Sequence, residues 1–461
     1  MPHDGEFAGT KSLKRLVESE RVNNLLSRYK IREHKIEREN ELPLKIAEVT
    51  PSDWQPRYIL SIDGSSIPQT IQNGFPGAEV GYITVSAVLI DAAKQRELDK
   101  KRPVSPFDFN QTQNAGSYDE VLPGSNIVFD DSDSAKDTMR KALFEMLQES
   151  KNRLSSEGES LLETYEVLLQ YKPQDTAQAQ KCPYDSELRC GSTEKKRLYQ
   201  QHSGTYNCNC IFNRPLYSTD ALRIHEGMVP EGTNITMYTE TMQVLERLFL
   251  INILRWLEKN AADSFRYLTI VVDGPLAVFG HPAWLSQAIR KELKRINDNV
   301  KATTGKDIML IGVEKTGFFV DHFEFIDTNK DGSKGRFPAG SAALLTDSYI
   351  KKHIIFSDPS SKGKQYGADT YFGRKLFFKT TSKAKIVAVT PFYEEAHSDL
   401  SKAELEQHPR LEDIINFLNQ NISARYINAL APLIEAHKEA AIPLHIGSQT
   451  LKQLVNKLMK K

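Results

Sequence analysis

Two apolar runs of this 461-residue chain each lead into an Asp-Gly pair: Tyr58-Ile-Leu-Ser-Ile-Asp63-Gly64 and Tyr267-Leu-Thr-Ile-Val-Val-Asp273-Gly274. An ionised carboxylate at the end of a buried strand is costly unless a partner compensates it. If the two strands are neighbours in one sheet, Asp63 and Asp273 converge on one point. Convergent carboxylates are hard oxygen ligands suited to Mg²⁺ or Mn²⁺, which activate water and stabilise a phosphoryl transition state. A plain turn is the competing reading for either pair alone. The repetition favours the metal.

Other residues could complete such a site. The helical pattern over residues 234–260 carries Glu240, Glu246 and Glu258. Glu246 lies beside the apolar stripe of Met242, Leu245, Leu248, Phe249 and Ile253, which makes it the first choice for a third acidic ligand, with Glu240 as the substitute. Lys315 leaves a strand at Gly312-Val-Glu-Lys315-Thr316, and Lys379 ends a Phe-Phe-Lys strand; either ammonium could neutralise a phosphate. His437, in Pro432-Leu-Ile-Glu-Ala-His437, could ligate metal or shuttle a proton, although a lone helical histidine is more often core or surface.

The four cysteines, Cys182, Cys190, Cys208 and Cys210, crowd one polar stretch with His202 between them. Four clustered thiolates suit a structural Zn²⁺, even though the first pair is not Cys-x-x-Cys. Asp327-x-Asn329-x-Asp331-Gly332 imitates the start of an EF-hand loop, but its twelfth position is Pro338 rather than a bidentate glutamate. A polar turn is expected there.

The elements that must hold these residues follow from periodicity. Residues 1–50 form an N-terminal amphipathic helical segment, with Leu13, Leu16, Val17, Val22, Leu25, Leu26 and Tyr29 at helical spacing. Residues 51–461 form the main domain, interrupted by a cysteine-containing insertion at 172–232. Within it, a strand to Asp63 is followed by an antiparallel strand over 80–90, loops over 100–134 around a short strand at 126–129, and helices over 135–171 and 234–260. The Asp273 strand, a helix over 282–299 and a strand at 308–313 come next. Segments 327–338 and 357–367 look mobile, and strands at 375–379 and 385–390 precede helices over 410–421, 422–440 and from 448. That order predicts an α/β fold with a mixed sheet flanked by helices.

Sixty basic and sixty acidic residues cancel, so any nucleic-acid surface must be local. No apolar run reaches membrane-spanning length and no signal-peptide pattern opens the chain, so a cytoplasmic protein without membrane contact is expected.

In order along the chain, Ile62-Asp63-Gly64-Ser65-Ser66, Val272-Asp273-Gly274-Pro275-Leu276, Gly312-Val-Glu-Lys315-Thr316 and Pro432-Leu-Ile-Glu-Ala-His437 resemble the motifs of the NurA family of DNA nucleases. The resemblance implies a ribonuclease H-like core, in which the first strand and the strand after the first helix are neighbours with metal-binding acids at their ends. It implies Mn²⁺- or Mg²⁺-dependent cleavage of DNA, as a 5′-to-3′ exonuclease or single-strand endonuclease. It further implies a homodimer working with a HerA-type hexameric ATPase in DNA end processing, repair or anti-phage defence. Carried over, Asp63, Glu246 and Asp273 are metal ligands, His437 the catalytic histidine and Lys315 a phosphate contact. The cysteine insertion lies outside the family's pattern. Two rivals remain: a non-catalytic DNA clamp or adaptor of a translocating ATPase, and a ribonuclease H-like enzyme acting on RNA or hybrids.

Overall fold

The computed structural model describes residues 11–29, 44–72, 77–98, 111–149, 158–172, 183–184, 204–208, 213–329, 332–333, 335–355, 357, 363–442 and 453. The chain divides into two units, Met1–Leu44 and Lys45–Lys461. The first holds helices α1 (Lys11–Glu18) and α2 (Glu20–Arg28), with Ser19 capping α2 by accepting from the Val22 amide. Leu13, Leu16, Val17, Leu25, Leu26 and Tyr29 of this unit are exposed.

The second unit is organised by a nine-stranded mixed sheet. Its strands are β1 (Lys45–Glu48), β2 (Tyr58–Gln72), β3 (Ala78–Asp91), β4 (Gln113–Pro123), β7 (Leu268–Asp273), β8 (Met309–Glu314), β9 (Ser341–Leu344), β10 (Gly373–Lys379) and β11 (Lys385–Pro391). Their order is β1-β9-β10-β11-β8-β7-β2-β3-β4. A separate ribbon pairs β5 (Thr205–Asn207) with β6 (Pro215–Tyr217). The helices are α3 (Ala92–Glu97), α4 (Ala135–Gln148), α5 (Leu161–Leu169), α6 (Ile235–Asn260), α7 (Leu285–Thr304), α8 (Phe318–Ile326), α9 (Asp347–His353), α10 (Glu395–Ser398), α11 (Leu411–Gln420) and α12 (Ala431–Ala440). No described helix is long and apolar enough to cross a membrane.

β2, β3 and β4 form an antiparallel meander, while β2, β7 and β8 run parallel. Alternation along β2 splits its side chains between two cores, as the two-residue period of a strand requires. Leu60 and Ile62 join a core with α4, α5, α6 and α7. Ile59 joins the opposite one, beneath α11 and α12. The parallel pairing brings the two Asp-bearing strands side by side, as the sequence led us to expect.

Several elements differ from expectation. β2 does not stop at Asp63 but runs on to Gln72 against β3. Residues 113–123, taken as loop because they are polar, form edge strand β4, where one flank needs no apolar partner. Asn126–Phe129 is no strand; Asn126 takes a positive φ and turns the chain. β1 lies within the first fifty residues yet pairs with β9. The expected helix over 422–440 forms only from Ala431, with Pro432 in its first turn.

The expected polar insertion at 172–232 is in its latter part core. Leu216, Tyr217, Ala221, Leu222 and Ile224 are buried. Arg140 on α4 reaches into this segment and holds Asp220 through Nε and Nη2, both at 2.7 Å, with Tyr184 Oη accepting from Nη1 at 2.7 Å. Both members of the pair are almost wholly buried, so removing one strands the other's charge in low dielectric. Arg140→Ala is expected to lower the unfolding free energy by about 3–5 kcal/mol. In urea titration, Lys141→Ala at a neighbouring exposed ion pair should shift it by less than about 1 kcal/mol.

Candidate active site

The parallel register pairs Ile62 with Val272 as its last step between β2 and β7. Asp63 and Asp273 come next on each strand. Being equivalent positions of adjacent parallel strands, they point to the same side of the sheet, the side covered by α12. Each is followed by glycine for a different reason. Gly274 has φ +79 and turns the chain out of β7, a conformation that disfavours any side chain. Gly64 stays in the strand, but a Cβ there would lie 2.6 Å from Met242 Sδ and 2.9 Å from Glu246 Oε1. Its bare backbone lets α6 bring Glu246 against the strand from the opposite side of the sheet.

Three carboxylates thereby lie around the point where β7 ends and β2 continues, near enough to feel one another's charge. Glu246 is 6% exposed and Asp63 3% exposed. Burial, followed by the charge of Asp273, raises the Asp63 pKa to about 6 against the pull of Lys315 and His437. Burial raises Glu246 further, to about 8; Arg247 opposes the rise, while Asp63 and Asp273 reinforce it. Negative charge is therefore under-compensated.

Neighbouring polar groups answer it in part. Lys315 Nζ donates to Asp273 Oδ2 at 2.7 Å. His437 Nδ1 lies 2.9 Å from Asp63 Oδ2, and its side chain is 61% exposed. The Gly64 amide donates to Asp63 Oδ1 at 2.8 Å. Helix α12 is tied to the sheet by Ser86 Oγ donating to the Ala436 carbonyl at 2.8 Å, which fixes where His437 can be.

Arg247, which sequence reading missed, is 2% exposed and stands 3.8 Å from Glu246. Its Nη2 and Nε donate to the Pro275 and Ala277 carbonyls at 2.9 and 3.2 Å, clamping the loop that follows Asp273. An arginine set inside the apolar run Val244-Leu-Glu-Arg247-Leu was the available signal.

The other expected residues go elsewhere. Glu240 pairs with His281 at 3.0 Å and Glu258 with Arg295 at 2.8 Å, leaving Glu246 as the inward-facing acid of α6. Lys379, expected at phosphate, is buried: its Nζ donates to Asp327 Oδ1 at 2.6 Å and to the Phe337 carbonyl at 2.9 Å. Asp327, first residue of the false EF-hand loop, is thus an internal counter-ion. Cys208 is buried with Tyr184, Leu216 and Tyr206; Cys182, Cys190, Cys210 and His202 lie outside the described residues.

Among the described residues no three His, Cys, Asp or Glu side chains are gathered as a ready-made metal cage. Each carboxylate of the cluster instead faces a basic side chain of the protein. In donor chemistry, though not in this arrangement, the set suits a hard divalent ion: three carboxylates, two of them held above their ordinary pKa by burial and mutual repulsion. The half-exposed Lys315 and the exposed His437 can turn away from the counter-charge position.

The raised pKa of Glu246 has a measurable sign. A carboxyl whose folded pKa exceeds its unfolded value contributes stability at low pH and loses it as pH climbs from about 4.5 to about 8. Glutamine at 246 has no such dependence. In chelator, the stability difference between Glu246→Gln and wild type should drift in the variant's favour by a few kcal/mol from pH 5.5 to 8, at about 1.4 kcal/mol per pK unit. Denaturation at a series of pH values reads this directly.

No family model matches the chain. No curated protein matches it either. Among solved structures, the chain is similar to the crystal structure of the NurA nuclease from Sulfolobus solfataricus, with 98% of each chain covered, 9% identity and a TM-score of 0.34. A likeness at that score carries no argument about activity, and the functional reading rests on the residues of the site.

Proposed function

We propose that the chain is a metal-dependent nuclease that hydrolyses DNA phosphodiesters at Asp63, Glu246 and Asp273. One observation carries the reading: two aspartates in register on adjacent parallel strands are met by a buried glutamate admitted by Gly64. The strand order β4-β3-β2-β7-β8, antiparallel and then parallel, supports a ribonuclease H-like core. A bound Mn²⁺ or Mg²⁺ supplies Lewis-acid polarisation of the phosphate and a water of lowered pKa.

The chain's own groups do the rest. Lys315 exchanges its hold on Asp273 for a phosphate oxygen and neutralises it. His437, oriented by Asp63 through Nδ1, has its other ring nitrogen available to move a proton to or from the reacting oxygen. Arg247 keeps the 275–277 loop, and with it Asp273, in place.

A scaffold that only clamps DNA has no use for two buried carboxylates and a partly buried third that repel one another, which argues against the adaptor reading. Discrimination of DNA from RNA needs contacts to the 2′-position that carboxylate chemistry does not make. We further propose that the protein is a homodimer fed by a HerA-type ATPase.

Asp63→Asn and Asp273→Asn each remove one ligand charge at nearly constant shape. Cleavage of labelled linear and circular DNA in Mn²⁺ should fall at least ~100-fold in each variant while folding survives. His437→Ala should lower turnover more than metal affinity. Adding the ATPase and ATP should accelerate the wild type only. Wild-type rates in both Asn variants would place the chemistry elsewhere. For the cysteines, elemental analysis should find about one Zn²⁺ per chain; none would remove the zinc proposal.

A further inference from the structure

Helix α6 does more than carry Glu246. Glu240, Gln243 and Arg247 are spaced by three and four residues, so they form one stripe along its flank. The segment that leaves β7 after Asp273 runs antiparallel to that stripe. Arg247 Nη2 and Nε donate to the Pro275 and Ala277 carbonyls at 2.9 and 3.2 Å. The Phe279 amide donates to Gln243 Oε1 at 2.7 Å. His281 then meets Glu240, its ring Nδ1 3.0 Å from Oε2 and its amide 3.4 Å from Oε1. Gly280 permits this last contact, because a Cβ there would lie 2.0 Å from Glu240 Oε1.

The intervening residues bond the other way. The Leu276 carbonyl accepts from the Phe372 amide, and the Val278 amide donates to the Thr370 carbonyl, both at 2.9 Å. Residues 275–281 are therefore an extended ribbon of two-residue period, odd positions on α6 and even ones on the 370–372 segment. One end of the ribbon is Asp273 and the other is the Glu240–His281 pair. Glu246 immediately precedes Arg247 on the helix, so the contacts fix Asp273 relative to Glu246, although the two acids belong to different elements. Glu240 stands six residues from Glu246, about 9 Å along the helix axis.

Resting on the nuclease reading, we infer that Glu240 and His281 are positioning residues: they close the ribbon onto α6 and so hold Asp273 in its place beside Glu246. Their action on the acids passes through the ribbon alone. A carboxylate on a loose segment must be ordered before it can hold an ion, and that entropy cost weakens binding.

The test compares Glu240→Ala, His281→Ala and their double variant with Glu258→Ala. The Glu258–Arg295 pair sits on the same helix at similar exposure, but ties α6 to α7 instead of to the ribbon. Hydrogen–deuterium exchange in EDTA reads the ribbon, and electron paramagnetic resonance of free Mn²⁺ reads the acids. Exchange over 275–281 should quicken about 10-fold in Glu240→Ala, as expected for loss of hydrogen bonds to a charged group, and keep the wild-type rate in Glu258→Ala. The Mn²⁺ dissociation constant should rise about 10- to 100-fold in Glu240→Ala. The double variant should be no weaker than Glu240→Ala, since both residues serve one contact. His281→Asn, whose side-chain amide can donate where Nδ1 does, should recover most of what His281→Ala loses. Unchanged exchange in Glu240→Ala overturns the proposal, and so does an equal loss of Mn²⁺ affinity in Glu258→Ala. A loosened ribbon with undiminished Mn²⁺ affinity overturns it as well. If the ribbon loosens as expected but the wild type takes up no Mn²⁺, the closure by Glu240 and His281 stands and the nuclease reading fails.

Discussion

The parallel pairing of β2 with β7 sets two aspartates side by side on adjacent strands, and much of the surrounding structure answers their repulsion. Lys315 leaves β8 toward Asp273, His437 approaches Asp63 from α12, and Arg247 stands beside Glu246. Each of these side chains comes from a different element, so the contacts of the site also fix how strand, helix and loop are placed against one another. Remove the parallel register and these contacts lose their reason. The energetic debt is visible in Asp63 and Glu246, both of which hold protons more tightly than ordinary carboxyls.

The sequence displays this centre better than it displays the frame. Asp63 and Asp273 were legible because a charged residue at the end of an apolar run breaks the burial pattern. Glu246 was legible because it borders an apolar stripe. Arg247, one residue further, was not singled out, since a basic side chain in a long helix ordinarily reaches solvent. Lys379 was read by its position at a strand end, and that position does not say whether the ammonium meets solvent or, as here, Asp327. Strand β4 escaped notice because an edge strand with residues such as Asn114, Gly116, Ser117 and Asp119 lacks the alternation that marks a half-buried one. Of the two Asp-Gly pairs, the second does turn the chain, at Gly274; at Gly64 the same dipeptide serves close packing instead.

The hydrogen bond between His437 and Asp63 spans 374 positions of the chain. During synthesis all three carboxylates are therefore translated long before the imidazole, and α12 follows every strand of the sheet along the chain. Any message truncated upstream of α12 therefore yields a chain that carries the three carboxylates but lacks the imidazole that meets Asp63.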